Sequence, residues 1–144
     1  MAFLLVLVGP AVPDTVRSLA APDVTVVGEA PEMRPHLEAA AVVMAPVRTG
    51  GGMRMKVLHA LAAGKAVVTT TLGAAGLLLD EEPTALAIAD DADGAAAAAA
   101  DLLGDRARRH ALGARARALV AERHSPAAYA RRATAVYEQV ATRE

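Results

Sequence analysis

The chain has 144 residues, of which 54% are hydrophobic, 22% charged and 2% aromatic, and its formal net charge is −1. This length suits a single domain with a core of Ala, Val and Leu, and the balanced charge and scarce aromatic side chains argue against a nucleic-acid-binding protein. Cysteine is absent, which excludes disulfides and thiolate metal sites and makes the cytoplasm the expected location. The apolar residues 1–8 are too few to span a bilayer and lack the pattern of a signal peptide.

Strand and helix patterns alternate from the start of the chain. Apolar runs predict strands at 3–8, 24–27, 41–45, 65–70 and 85–89. Helical patterns lie at 14–19, 31–40 and 53–63, and three more helices follow the last strand, capped by Asp91 or Asp93, by Asp105 and by Ser125. The predicted fold class is α/β: a Rossmann-like parallel sheet with helices on both faces and a C-terminal helical segment. Ligands of such sheets bind beyond the carboxyl ends of the strands.

A glycine-rich loop lies at one of these strand ends. Three successive glycines precede a helical pattern that starts at Met53: Gly50, Gly51 and Gly52. Glycines let the backbone approach a ligand closely, and a helix start offers unpaired N–H groups and a positive dipole end. Arg54 and Lys56 add two cations in the first turn of that helix. The loop is therefore predicted to bind phosphate or diphosphate.

Other patterns are weaker. The hydroxyls of residues 69–71 could face the same ligand, although threonine is also common in strands for reasons of propensity. Asp91 and Asp93 have a spacing seen in metal-binding acidic motifs, but they precede a helix as caps do. The four histidines show no ligand spacing, so no metal site is expected.

Charges are segregated along the chain. Acidic residues concentrate between Asp80 and Asp101, and arginines between Arg106 and Arg132. Either stretch could be a solvated face. The arginines could instead contact an anionic membrane surface, which would place the protein peripherally at the inner face of a membrane, or an acidic partner domain.

The segment from Gly50 to Thr70, followed by Gly76 and Leu77, resembles the C-terminal, donor-nucleotide-binding domain of GT-B fold retaining glycosyltransferases. This large group includes glycogen- and sucrose-synthase-like and bacterial polysaccharide enzymes. The likeness extends upstream through 5–9, 24–28 and 37–46, and downstream through 102–105 and 124–125, so it covers most of the chain.

The resemblance implies a nucleoside diphosphate sugar as donor and transfer of its sugar to an acceptor, with no metal or other cofactor. It places Gly51, Gly52 and Arg54 around the phosphates and lets Lys56 neutralise the charge that develops on the leaving diphosphate. The implied nucleotide-sugar-binding set also includes Gly50, Met53, His59 and Thr70.

The chain departs from the family pattern at two acidic positions. Relatives usually carry two glutamates eight positions apart, one contacting the donor sugar and one the ribose, and here Gly51 and His59 stand in their places. His59 follows Lys56 by three residues and so shares its helix face. It could hydrogen-bond a hydroxyl, be a buried histidine, or mark a degenerate site.

A larger departure concerns domain content. The resemblance implies an N-terminal acceptor domain, and one more strand and helix before residue 3, that this sequence lacks. We therefore expect residues 1–144 to form one nucleotide-sugar-binding domain truncated at its N-terminus, inactive alone, with apolar closing helices that favour a homodimer. The alternative function is that of a non-catalytic nucleotide-sugar-binding or interaction domain.

Overall fold

The computed structural model describes residues 4–77 and 85–141. Strands and helices alternate before three helices close this part of the chain: β1 (Leu5–Val8), α1 (Asp14–Arg17), β2 (Val24–Gly28), α2 (Arg34–Ala39), β3 (Val42–Ala45), α3 (Met55–Ala62), β4 (Ala66–Thr69), α4 (Thr71–Ala74), β5 (Ala87–Ile88), α5 (Ala92–Gly104), α6 (Arg106–Arg123) and α7 (Pro126–Ala141). All paired strands are parallel. The predicted α/β class is therefore confirmed. Residue 3 of the first predicted strand and positions 80–82 at the start of the acidic stretch lie outside the described residues.

The chain divides into two compact units, one ending at His36 and one beginning at Leu37. In the first unit β1 pairs with β2 in parallel, and α1 forms the crossover between them. The sequence predicts a strand covered on both faces, but Leu5 and Val6 are 46% and 41% exposed. That expectation of full burial is wrong for the described residues, where β1 pairs with β2 alone.

The second unit contains a three-stranded sheet in the order β3-β4-β5. Every residue of the central strand β4 is buried, and its side chains alternate between two core clusters. Val67 packs with Val57 and Leu61 of α3 and with residues of α6, whereas Ala66 and Val68 pack with Ala95, Ala99 and Leu102 of α5. Since successive residues of a strand point to opposite faces, the helices cover this sheet on both sides, as predicted.

The turn from α3 into β4 is held by α6. Gly64 ends the helix with φ +69°, a conformation that favours glycine. Gly113 of α6 approaches the carbonyl group of Gly64 so closely that a Cβ at Gly113 would overlap it. Lys65 then donates from Nζ to the carbonyl oxygens of Glu38 and Ala40, at 2.8 and 3.1 Å. These contacts fix the position of the first residues of β4.

The three closing helices begin at the predicted caps. Asp91 accepts from the N–H of Gly94, Asp105 from that of Arg108, and Ser125 from that of Ala128. The closing helices are expected to expose apolar side chains; in α7 Val136 and Val140 are 59% and 63% exposed, but Ala128 is buried. Within residues 4–77 and 85–141, no helix combines the length and apolar character needed to cross a bilayer.

Candidate functional site

An open cleft lies beyond the carboxyl ends of β3, β4 and β5. Its volume is about 490 Å³, and its lining comes from residues that follow these three strands directly or within a few positions: Val47, Arg48, Thr70, Leu72, Asp90, Asp91 and Ala92. Parallel α/β sheets bind their ligands at this edge. The cleft is therefore where the fold favours a site.

The glycine loop leads from β3 toward α3. Gly50 and Gly52 have φ values of +121° and +75°, which residues with a Cβ rarely adopt. The helix begins at Met55, two residues later than predicted. Within the described part of the chain, no backbone or side-chain acceptor receives the N–H groups from Gly50 to Arg54 or that of Lys56. The loop thus presents a run of main-chain donors.

Arg54 occupies the N-cap position of α3 rather than its first turn. Its side chain is 8% exposed. The guanidinium donates from Nη2 to the carbonyl oxygen of Gly50 at 2.7 Å and from Nε to that of Leu72 at 3.2 Å. Arg54 therefore faces the protein's own backbone rather than solvent.

Lys56 and His59 are both exposed and lie three residues apart on α3. Helix geometry places such residues on one face. The alternative of a buried histidine is therefore wrong. Met53, also predicted as a binding residue, lies before the helix and is 52% exposed.

Thr70 lines the cleft, but its hydroxyl is already engaged. Oγ1 donates to the carbonyl oxygen of Val47 at 2.6 Å and accepts from the N–H of Gly73 at 2.9 Å, which makes Thr70 the N-cap of α4. The Thr69 hydroxyl is likewise turned onto the Ala45 carbonyl, at 2.7 Å. These two hydroxyls connect the carboxyl ends of β3 and β4.

Asp90 and Thr71 form a second connection at the cleft. The carboxylate accepts from the Thr71 hydroxyl and from its N–H, both at 2.7 Å. These two hydrogen bonds, the hydroxyl's first, lower the pKa of Asp90 below its ordinary value of 3.8. Asp90 thereby fixes the start of α4 to the end of β5.

Sequence reasoning missed Arg48 and Asp90 as site residues. Both follow a predicted strand closely, and position after a parallel strand is the signal that could have identified them. Asp91 or Asp93 was predicted as a helix cap, and the structure assigns that role to Asp91. No group of three or more His, Asp or Glu side chains in 4–77 and 85–141 could hold a metal ion.

The predicted residues thus fall into two sets. Gly50, Gly51, Gly52, Met53 and Lys56 form an accessible loop and helix start, with His59 one turn further along α3. Arg54 and Thr70 lie beneath them and connect this loop to α4. Chemically, the accessible set offers main-chain donors and one exposed ammonium group.

Comparison with known proteins identifies the family of this chain. The model of the family described as glycosyl transferases group 1 matches residues 2–105, a span that includes the cleft, the glycine loop and α3 and ends at the N-cap of α6. A search of curated proteins found no match. Because the family model covers well over half of the chain, this protein belongs to the glycosyl transferases group 1 family.

Proposed function

We propose that this chain is the donor-binding half of a GT-B glycosyltransferase, and that it binds the diphosphate of a nucleoside diphosphate sugar at residues 50–56. The observation that carries the proposal is the run of N–H groups from Gly50 to Arg54, which have no acceptor among residues 4–77 and 85–141 and lie next to the exposed Lys56. Family membership supports glycosyl transfer as the reaction class.

The chemistry of the loop suits a leaving diphosphate. Main-chain N–H groups and a helix N-terminus stabilise negative charge without having to reorient. The Lys56 ammonium adds a full positive charge at the same helix start, where it can approach a phosphate oxygen. As the bond between sugar and diphosphate breaks, negative charge accumulates on the phosphate, and these groups stabilise it.

The cleft provides room for the rest of the donor. It adjoins the loop at Leu72, whose carbonyl accepts from Arg54. A diphosphate on the loop would extend one of its two substituents into a space of about 490 Å³. Arg48 and Asp91 line that space and can hydrogen-bond the hydroxyl groups of a sugar or ribose. His59, exposed on α3, would face the other substituent.

Transfer requires a further part of the enzyme. We propose an acceptor-binding domain as the partner of this chain, with the reaction taking place between the two. The chain alone would then bind donor without transferring sugar.

Calorimetric titration of uridine and guanosine diphosphates tests the site. Lys56→Ala should weaken binding of the preferred diphosphate by about tenfold to a hundredfold, because a charge-assisted hydrogen bond contributes about 1.5–3 kcal/mol. Arg115→Ala is the matched control, since it removes one exposed cation from α6. Equal losses in the two variants, or no binding by the unmodified protein, would refute the proposal.

A second candidate function is donor binding without catalysis. Gly51 and His59 stand where a carboxylate pair would contact the sugar and ribose, which favours this alternative. Release of free sugar or of transferred product, measured with the chain joined to an acceptor-binding domain, distinguishes the two. Binding without turnover in that assembly would favour the non-catalytic function.

A further inference from the structure

We infer that Arg54 is a positioning residue: its guanidinium holds the glycine loop against α4, so that the loop's N–H groups are arranged for an anion before the anion arrives. This inference rests on the proposed diphosphate site and deepens it. It assigns charge compensation to the exposed Lys56 and loop geometry to Arg54.

Burial separates the two cations. Arg54 is 8% exposed, and among residues 4–77 and 85–141 it is the one buried charged side chain. Lys56, two positions later, is exposed. Burying a cation costs free energy unless hydrogen bonds replace its hydration. For Arg54, hydrogen bonds to two main-chain carbonyls take the place of hydration, so the guanidinium binds the protein's own backbone.

The two acceptors lie on different segments. Nη2 reaches the Gly50 carbonyl at 2.7 Å, within the loop, and Nε reaches the Leu72 carbonyl at 3.2 Å, within α4. One side chain thereby connects residues that are 22 positions apart, from 50 to 72. The planar guanidinium offers donors in fixed relative directions, which an ammonium group cannot reproduce.

Thr70 makes a second connection between the same segments. Its hydroxyl donates to the Val47 carbonyl at 2.6 Å. The start of α4 is therefore connected to Val47, which precedes the glycines, and through Arg54 to Gly50, the first of them. Gly50 also lies close to the guanidinium: a Cβ there would be 3.4 Å from Nη1. The loop conformation and the Arg54 position therefore depend on each other.

Preorganisation is the physical gain. A loop with three successive glycines has large conformational freedom when unfolded or detached, and ordering it upon binding would reduce affinity. The two Arg54 hydrogen bonds order it beforehand. No carboxylate in the described residues pairs with Arg54, so its positive charge remains and also favours an anion nearby.

The test compares Arg54→Lys with Lys56→Arg, since both keep the charge. Arg54→Lys should weaken uridine or guanosine diphosphate binding by about tenfold, because an ammonium group cannot bond the Gly50 and Leu72 carbonyls at once as the guanidinium does. Lys56→Arg should retain most of the affinity. The diphosphate affinity should depend on salt concentration in the same way in Arg54→Lys and in the unmodified protein, because the substitution keeps the positive charge.

Hydrogen exchange supplies a readout that needs no ligand. The N–H groups of Ala74 and Ala75 donate to Thr70 and Thr71 carbonyls in α4, and their exchange should accelerate about tenfold in Arg54→Lys. The N–H of Asp105, bonded at the end of α5, is the internal control and should not change.

The outcomes are separable. Unchanged exchange in α4, or unchanged affinity of Arg54→Lys, overturns the positioning role. If the unmodified protein binds neither diphosphate, the proposed function fails, and the exchange of Ala74 and Ala75 alone decides whether Arg54 holds the loop.

Discussion

Replacing Thr70 by Val should lower the free energy of unfolding by about 2–3 kcal/mol. The hydroxyl caps α4 by accepting from the Gly73 N–H, and loss of a helix cap costs about 1 kcal/mol. It also donates to the carbonyl of Val47, a buried residue, and a buried acceptor left without its donor costs a further 1–2 kcal/mol or so. Valine has nearly the shape of threonine, so packing should change little.

Urea unfolding followed by helical circular dichroism measures this effect. Thr70→Ser is the matched control: it keeps the hydroxyl and loses one methyl group, which costs about 0.8 kcal/mol. The slope of the unfolding free energy against urea should be the same in all three proteins, so that the midpoints report stability. A Thr70→Val protein as stable as the unmodified protein would show that the two hydrogen bonds contribute no net stability, and the reasoning would fail.

Three further predictions concern other contacts. Gly113→Ala should destabilise the protein by about 2 kcal/mol or more, because the added Cβ overlaps the Gly64 carbonyl group, whereas Gly104→Ala, with open space around it, should be nearly neutral in the same thermal melts. Asp90→Ala should be less stable than the unmodified protein near neutral pH. This difference in stability should shrink as the pH falls from 3.8 through the lowered pKa of Asp90, because the protonated carboxyl group no longer has the charge that the two Thr71 hydrogen bonds stabilise in the folded protein. A stability difference that does not change with pH would contradict the Thr71 contact. His59→Glu should leave the melting temperature unchanged because the side chain is exposed, and it should preserve or tighten nucleotide binding if this position contacts ribose, an expectation that calorimetry would contradict by showing weaker binding.

Local patterns were sufficient for much of the fold. The alternation of apolar runs with helical patterns identified the α/β class and the parallel direction of the strands. Capping chemistry located the starts of the three closing helices, since Asp91, Asp105 and Ser125 satisfy N–H groups only a few residues away. The glycine loop was likewise visible, because it depends on three adjacent residues whose backbone freedom is a property of their own chemistry.

Contacts between distant segments decided the rest. The sequence predicted Arg54 and Lys56 alike as cations at a helix start, but a carbonyl 18 positions away draws Arg54 inward and leaves Lys56 exposed. Thr70 is a strand-end threonine in the sequence and becomes a connection to the loop only when β3 and β4 pair. Arg48 and Asp90 reach one cleft because parallel strands end at one edge of the sheet. Sequence periodicity reports which face of an element is apolar, whereas the partner of a buried polar group depends on which segments the fold brings together, and only the tertiary structure specifies that.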